Sequence, residues 1–135
     1  MGAIIVDKDG KILVAQRPYS DISYKSYIWE FPGGKVEEQE TPQEALKREI
    51  KEELDCEIIV EEKIGEINHE YPDFQLNLSL FLCRLKDNSR PKALEHNQIK
   101  WIRMEESDTL DWIEADYEIL PLINKIINQR ENIGS

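Results

Sequence analysis

The chain has 135 residues, and 28 Asp plus Glu against 17 Lys plus Arg give it a formal net charge of −11 at pH 7. That length fits one domain, residues 1–135, and 40% hydrophobic with 33% charged residues is globular composition. The acid excess excludes a grip on a nucleic-acid polymer, which needs clustered Lys and Arg, and no apolar run reaches the roughly 18 residues of a membrane span.

The charge also weighs against a phosphorylated ligand, an expectation that the placement of particular acids reverses below. Cys56 and Cys83 are the two cysteines. They form no CxxC and no Cys/His cluster, so neither a disulfide framework nor a zinc site is expected. The first residues turn charged too soon for a signal peptide, and a reducing, cytoplasmic setting is the expectation.

In chain order, residues 3–6 are a short apolar run, and Asp9-Gly10 supplies a turn into residues 11–16, a pattern that predicts a β-hairpin. Residues 18–28 are polar and predict a loop. Residues 29–31 form a brief strand stopped by Pro32-Gly33-Gly34. Thr41, Pro42 and Glu44 are a helix start: a cap, a proline at the first helical position, and an acid at the capping-box spacing. That helix should run to about Leu54 and bury Leu46, Ile50 and Leu54. Strands are expected at 58–60, at 64–69 and at 75–84, where Leu76, Leu78, Leu80 and Leu82 alternate. A short strand at 100–103 follows. Residues 110–120 are left open, and 120–127 begin or form a closing helix. The order predicts an α+β fold with a mixed sheet between helices.

Glu49, Glu52 and Glu53 stand at i, i+3 and i+4 on the first helix, about a quarter-turn from its buried stripe. Like charges at that spacing repel by roughly 0.2–0.5 kcal/mol per pair, and they invite either a basic partner or divalent cations. Hard oxygen ligands suit Mg²⁺ or Mn²⁺, which also take substrate phosphates as ligands. Three such glutamates taken alone are more often a solvated face. Their context reverses that reading.

Gly34, Glu40 and Arg48-Glu49-Ile50-Lys51-Glu52-Glu53 reproduce the spacing of the Nudix box, here residues 34–56, and the chain resembles that family. One departure is Asp55, where the family has a glycine that ends the helix in a left-handed conformation; Asp tolerates that conformation better than most residues. Trp29-Glu30-Phe31-Pro32-Gly33-Gly34-Lys35 resembles the entry to the box in MutT-type members. Val14-Ala15-Gln16-Arg17-Pro18 resembles their strand ending in a phosphate-facing arginine. Leu94-Glu95-His96-Asn97-Gln98 resembles the segment that brings a further glutamate to the metals, and the stretch from Asp111 to Asp116 resembles the segment with the base-recognising Asn or Asp. The first strand starts later than in the family and is expected to be short or partly missing.

The resemblance implies a Nudix fold, an α/β/α sandwich, and hydrolysis of a (deoxy)nucleoside triphosphate to monophosphate and pyrophosphate with Mg²⁺, or Mn²⁺ in its stead. It implies metal ligation by Glu49, Glu52, Glu53, Glu95 and the Gly33 carbonyl. Glu52, Glu53 or Glu95 would be the base, and Arg48 would orient the glutamates. Substrate contacts would come from Arg17, Glu30, Phe31, Pro32, Gly33, Phe74 and Asp116, with Phe31 stacking on the base and Asp116 bonding its edge. Plainer readings stand beside these: Phe31 as core, Asp116 as a helix cap, Glu95 as a loop acid, and Trp112 as a weaker candidate for a pocket wall. His69 and His96 read as structural or exposed. An oxidised purine such as 8-oxo-dGTP and a pyrimidine such as CTP or a methylated dCTP both fit. A Nudix-fold nucleotide-binding domain without turnover is the alternative of another class. The expected partner is a small nucleotide, with no polymer and no membrane, and the protein a monomer or homodimer.

Overall fold

In this computed structural model the described residues are 1–19, 26–73, 75–113 and 116–134, with side chains through residue 128. The loop expected at 18–28 therefore falls partly outside them. The strands are β1 (Gly2–Ile5), β2 (Ile12–Gln16), β3 (Trp29–Glu30), β4 (Ile58–Glu70), β5 (Gln75–Leu85) and β6 (Gln98–Ile102). The helices are α1 (Pro42–Leu54) and α2 (Asp116–Gly134), with a 3-10 segment, Met104–Thr109, ahead of α2.

The strands form two three-stranded sheets, ordered β1-β5-β4 and β3-β2-β6. The first is mixed, because β1 runs parallel to β5 while β4 runs antiparallel to it. The second is antiparallel throughout. Alternation along the strands divides the apolar side chains between two cores. Ile4, Leu80 and Leu82 face Ile119, Ile123 and Ile127 of α2. Ala3, Ile5, Phe81 and Cys83 face Leu46, Ile50 and Leu54 of α1. The mixed sheet thus lies between the two helices, as expected. Among the described residues no helix is long and apolar enough to cross a membrane.

The hairpin expected at the start is not a ladder. Its turn is present, with Asp7 Oδ1 accepting from the Asp9 and Lys11 amides at 2.9 and 2.8 Å. Only the single bridge Val6↔Ile12 follows it. All four residues of β1 are buried, so the strand needs neighbours on both sheet faces, and it gains them by joining β5 with Gly2 opposite Leu80. The strands expected at 58–60 and 64–69 are one strand. Register shifts between Val60 and Glu62 and between Lys63 and Gly65 leave one extra residue at each step, so β4 continues through bulges that interrupt its apolar pattern. Gly65 sits where a Cβ would come within 2.7 Å of the Leu122 side chain, which lets α2 close over β4.

The first helix begins as its sequence signals. Thr41 is extended, its Oγ1 accepts from the Glu44 amide at 3.1 Å, and Pro42 follows at the first helical position. At the other end Asp55 takes the left-handed conformation (φ 49°, ψ 43°), and its amide donates to Lys51 O at 3.0 Å. The chain returning after β5 answers two more of the last carbonyls: Lys92 N donates to Leu54 O at 2.7 Å and Leu94 N to Glu53 O at 3.1 Å.

Candidate active site

The quarter-turn offset on α1 produces a gradient of burial across its three acids. Glu53 is buried, at 9% exposure, while the side chains of Glu49 and Glu52 are 20% and 55% exposed. Glu53 Oε2 accepts from the Gly33 amide at 3.2 Å. Burial, with the nearby Glu30 and Glu49 carboxylates adding to it and His96 opposing, pushes the Glu53 carboxyl up to about 7.

Arg48 gathers the surrounding carboxylates. Its Nε and Nη2 form a fork onto both oxygens of Glu40, at 2.7 and 3.0 Å. Its Nη1 donates to Glu49 at 3.0 Å and to Glu52 at 3.4 Å, and Nη2 also reaches the Lys35 carbonyl at 3.1 Å. The fork holds the Glu40 carboxyl below the usual carboxylate range, helped by the Glu37 amide, and raises the guanidinium in turn. Glu40 is the residue whose role the spacing leaves unassigned; it anchors the arginine that steers Glu49 and Glu52.

The Gly33-Gly34 turn has no room for side chains. A Cβ on Gly34 would strike the Glu49 carboxylate, and one on Gly33 would strike the Met1 carbonyl. Gly34 N donates to that carbonyl at 3.1 Å, and Ala3 N donates to Pro32 O at 2.8 Å. The turn is thereby fixed between β1 and α1, with its backbone against two of the three helix glutamates.

Beside this turn opens a cavity of about 710 Å³, walled by Arg17, Glu30, Phe31, Gly33, Asp116 and residues of β5. Glu30 lies between two partners: Arg17 Nε at 2.6 Å on Oε1 and His96 Nε2 at 3.3 Å on Oε2. Burial alone would raise its carboxyl, but the bond from His96 and the charge and bond of Arg17 hold it below the usual range. Asp116, 5% exposed, accepts from the Phe31 amide through Oδ2 at 3.2 Å. Burial dominates there and pushes its carboxyl up to about 7. Phe31 stacks on Trp112, with centroids 5.1 Å apart and planes at 23°, so one face of its ring is already covered.

The structure brings Glu49, Glu52, Glu53 and Arg48 to one helix face beside Gly33, and Arg17, Glu30, Phe31 and Asp116 to one cavity. Pro32 is buried between them. Asp116 opens α2, and its carboxylate accepts from the Phe31 amide. Glu95 is exposed, one residue from the inward His96. Phe74 lies outside the described residues. Among the described residues no three of His, Cys, Asp and Glu converge closely enough to hold an ion; Glu49 and Glu52 are turned onto Arg48. His96, read from sequence as structural or exposed, is inside at 6% side-chain exposure and bonded to a cavity residue. No local spacing signals that pairing, because residues 30 and 96 meet only through the β3-β2-β6 sheet.

Comparison with known proteins agrees with this geometry. The NUDIX domain family matches residues 1–122. The CTP pyrophosphohydrolase of Escherichia coli K12 is 36% identical over 119 residues, covering 87% of this chain and 85% of that protein. The 8-oxo-dGTP diphosphatase of Proteus vulgaris is 40% identical over 79 residues, covering 58% and 69%. Among solved structures, the MutT protein of methicillin-resistant Staphylococcus aureus 252 superimposes with a TM-score of 0.68 at 42% identity, covering 95% of this chain and 93% of that one. With the family matched over nearly its whole length and the box residues assembled on one helix face, the chain belongs to the Nudix family of hydrolases.

Proposed function

We propose that this protein hydrolyses a (deoxy)nucleoside triphosphate to the monophosphate and pyrophosphate, using Mg²⁺, with an oxidised purine nucleotide of the 8-oxo-dGTP kind as substrate. The observation that carries this reading is the cavity of about 710 Å³ next to the Gly33-Gly34 turn and the acidic face of α1. A base fits at its Asp116 end and a polyphosphate chain toward Gly33. The relatives named 8-oxo-dGTP diphosphatase and CTP pyrophosphohydrolase support the reaction class.

The acids of α1 have the oxygen-donor chemistry that a hard divalent cation takes, although Glu49 and Glu52 are turned onto Arg48 in this structure. The carboxyl of Glu53, raised chiefly by burial and further by the Glu30 and Glu49 carboxylates, is one that would be returned to the ionised form by a cation beside it. Glu49, Glu52 and Glu53, with the Gly33 carbonyl and Glu95, are the groups that would hold it. Such an ion supplies neutralisation of phosphate charge and acidification of a bound water. The protein's own groups do the rest. Arg48 sets the directions of Glu49 and Glu52. Arg17, on the cavity wall, meets phosphate oxygens. Phe31, buried with Trp112 stacked on its ring and lining the cavity, would meet the base by its cavity side. Asp116, a carboxyl that takes up a proton near neutrality, both donates to and accepts from the base edge.

A pyrimidine triphosphate is the second reading, favoured by similarity to the CTP pyrophosphohydrolase over 87% of the chain. A neutral Asp116 suits both bases: it would donate to N3 of cytosine while accepting from the exocyclic amine, or donate to O6 of 8-oxoguanine while accepting from a ring N–H. Chromatographic product analysis across 8-oxo-dGTP, dGTP, CTP, dCTP and 5-methyl-dCTP with Mg²⁺ distinguishes the two. Highest kcat/KM on 8-oxo-dGTP supports the first, highest on a cytosine nucleotide the second. Binding without any turnover would make the protein a nucleotide-binding domain and overturn both.

A further inference from the structure

The segment after β5 does more than return the chain to β6. Its two ends are tied to the site from opposite sides. Lys92 and Leu94 donate to the last carbonyls of α1. At the other end, Asn97 N donates to Gln16 O at 2.9 Å, and the Asn97 and Gln98 side-chain amides both donate to Gln16 Oε1, at 2.7 and 2.8 Å. Between these ties His96 points inward to Glu30. Arg17 follows the gripped Gln16, donates its own amide to Ile28 O at 2.8 Å, and is held by its Nε on Glu30. Arg17 is therefore linked to residues 96–98 twice, along its backbone through Gln16 and through its side chain by Glu30.

We infer that His96 is a positioning residue for Arg17: by taking one oxygen of Glu30 it fixes the carboxylate that holds the guanidinium at the cavity wall. The ionised Glu30 only accepts, so Nε2 of His96 is the donor. With His96 on Oε2, the bond of Arg17 to Glu30 is a single one, Nε to Oε1. Without His96, both oxygens are free to close on Arg17 as a bidentate pair, the geometry guanidinium and carboxylate prefer, and to draw it off the wall. His96 does not itself line the cavity. Packing does not explain the histidine either. Its Nδ1 is buried with no hydrogen-bond partner among the described residues, an arrangement that disfavours the folded state and that an apolar side chain would avoid.

This inference rests on the assignment of Arg17 to the substrate phosphates, and its test separates the two. The test uses the full chain, a non-hydrolysable α,β-imido nucleoside triphosphate with Mg²⁺ in calorimetry, and steady-state kinetics on the preferred nucleotide. His96→Leu should weaken analogue binding and raise KM about tenfold, with kcat within about twofold of wild type. His96→Gln, whose amide can still donate to Glu30, should recover most of that loss. In an Arg17→Ala background His96→Leu should add almost nothing, because its effect runs through the arginine. Unchanged binding in His96→Leu, or a loss that adds in full to that of Arg17→Ala, overturns the inference. So does a His96→Gln protein that folds, by its melting curve, yet binds as poorly as His96→Leu. If wild type neither binds nor hydrolyses nucleoside triphosphates, it is the functional reading that has failed.

Discussion

At the scale of single residues, two carboxyls titrate near neutrality for the same reason, burial, in different company. Glu53 lies among other acids and accepts one amide, whereas Asp116 lies deep in the cavity wall and accepts another. Replacing Glu53 with Gln keeps an acceptor for Gly33 and removes a charge that its neighbours repel. Hydrolysis should fall by about 10²- to 10⁴-fold while the melting temperature holds or rises, as paired kinetics and thermal denaturation will show. Asp116 gives a prediction about stability. Its folded pKa of about 7 is above its ordinary value of 3.8, so the folded state binds more protons than the unfolded state between those values. Stability from this group is therefore fully present below about pH 4 and is lost as pH rises toward 7. Asp116→Asn, which still accepts from Phe31 but carries no charge, should be more stable than wild type at pH 8. The difference should shrink to nothing by pH 4, and urea denaturation at several pH values measures it.

At the scale of elements, α1 was the part most legible from sequence, because its signals are local. Thr41, Pro42 and the Leu46, Ile50, Leu54 stripe specify its start, its direction and its buried face within one stretch of chain. Even the departure at Asp55 was readable, since the left-handed conformation is demanded by the helix end and not by distant contacts. Substituting Asp55→Gly should stabilise the fold by up to about 1 kcal/mol, by chemical denaturation, and leave kcat unchanged. Pairings between remote strands were not legible. Nothing near residues 3–6 shows that β1 joins β5 and not β2, nor that β4 runs on through Glu61 and Ile64. The same limit explains the site. The glutamates and Arg48 share a helix and could be read together, while the meeting of Glu30 with His96 depends on sheet order that no local pattern encodes.

For the whole molecule, the net charge of −11 first weighed against a phosphorylated ligand. Under the proposed function its meaning changes, because the charge that a substrate met would be that of the acids of α1 loaded with divalent cations. Chelation by EDTA should abolish hydrolysis and leave the circular dichroism spectrum intact, since both apolar cores form without the acids of the site. A non-hydrolysable nucleotide at 100 times its Kd, with Mg²⁺ present, should add about 2.7 kcal/mol to stability through linkage, visible as a raised melting temperature. The most direct measurement is quantification of both products when the purified protein meets the nucleotide panel with Mg²⁺. Equimolar nucleoside monophosphate and pyrophosphate, formed fastest from 8-oxo-dGTP and lost in Glu53→Gln, is the predicted result. No product from any nucleotide, or release of single orthophosphates in place of pyrophosphate, would contradict it.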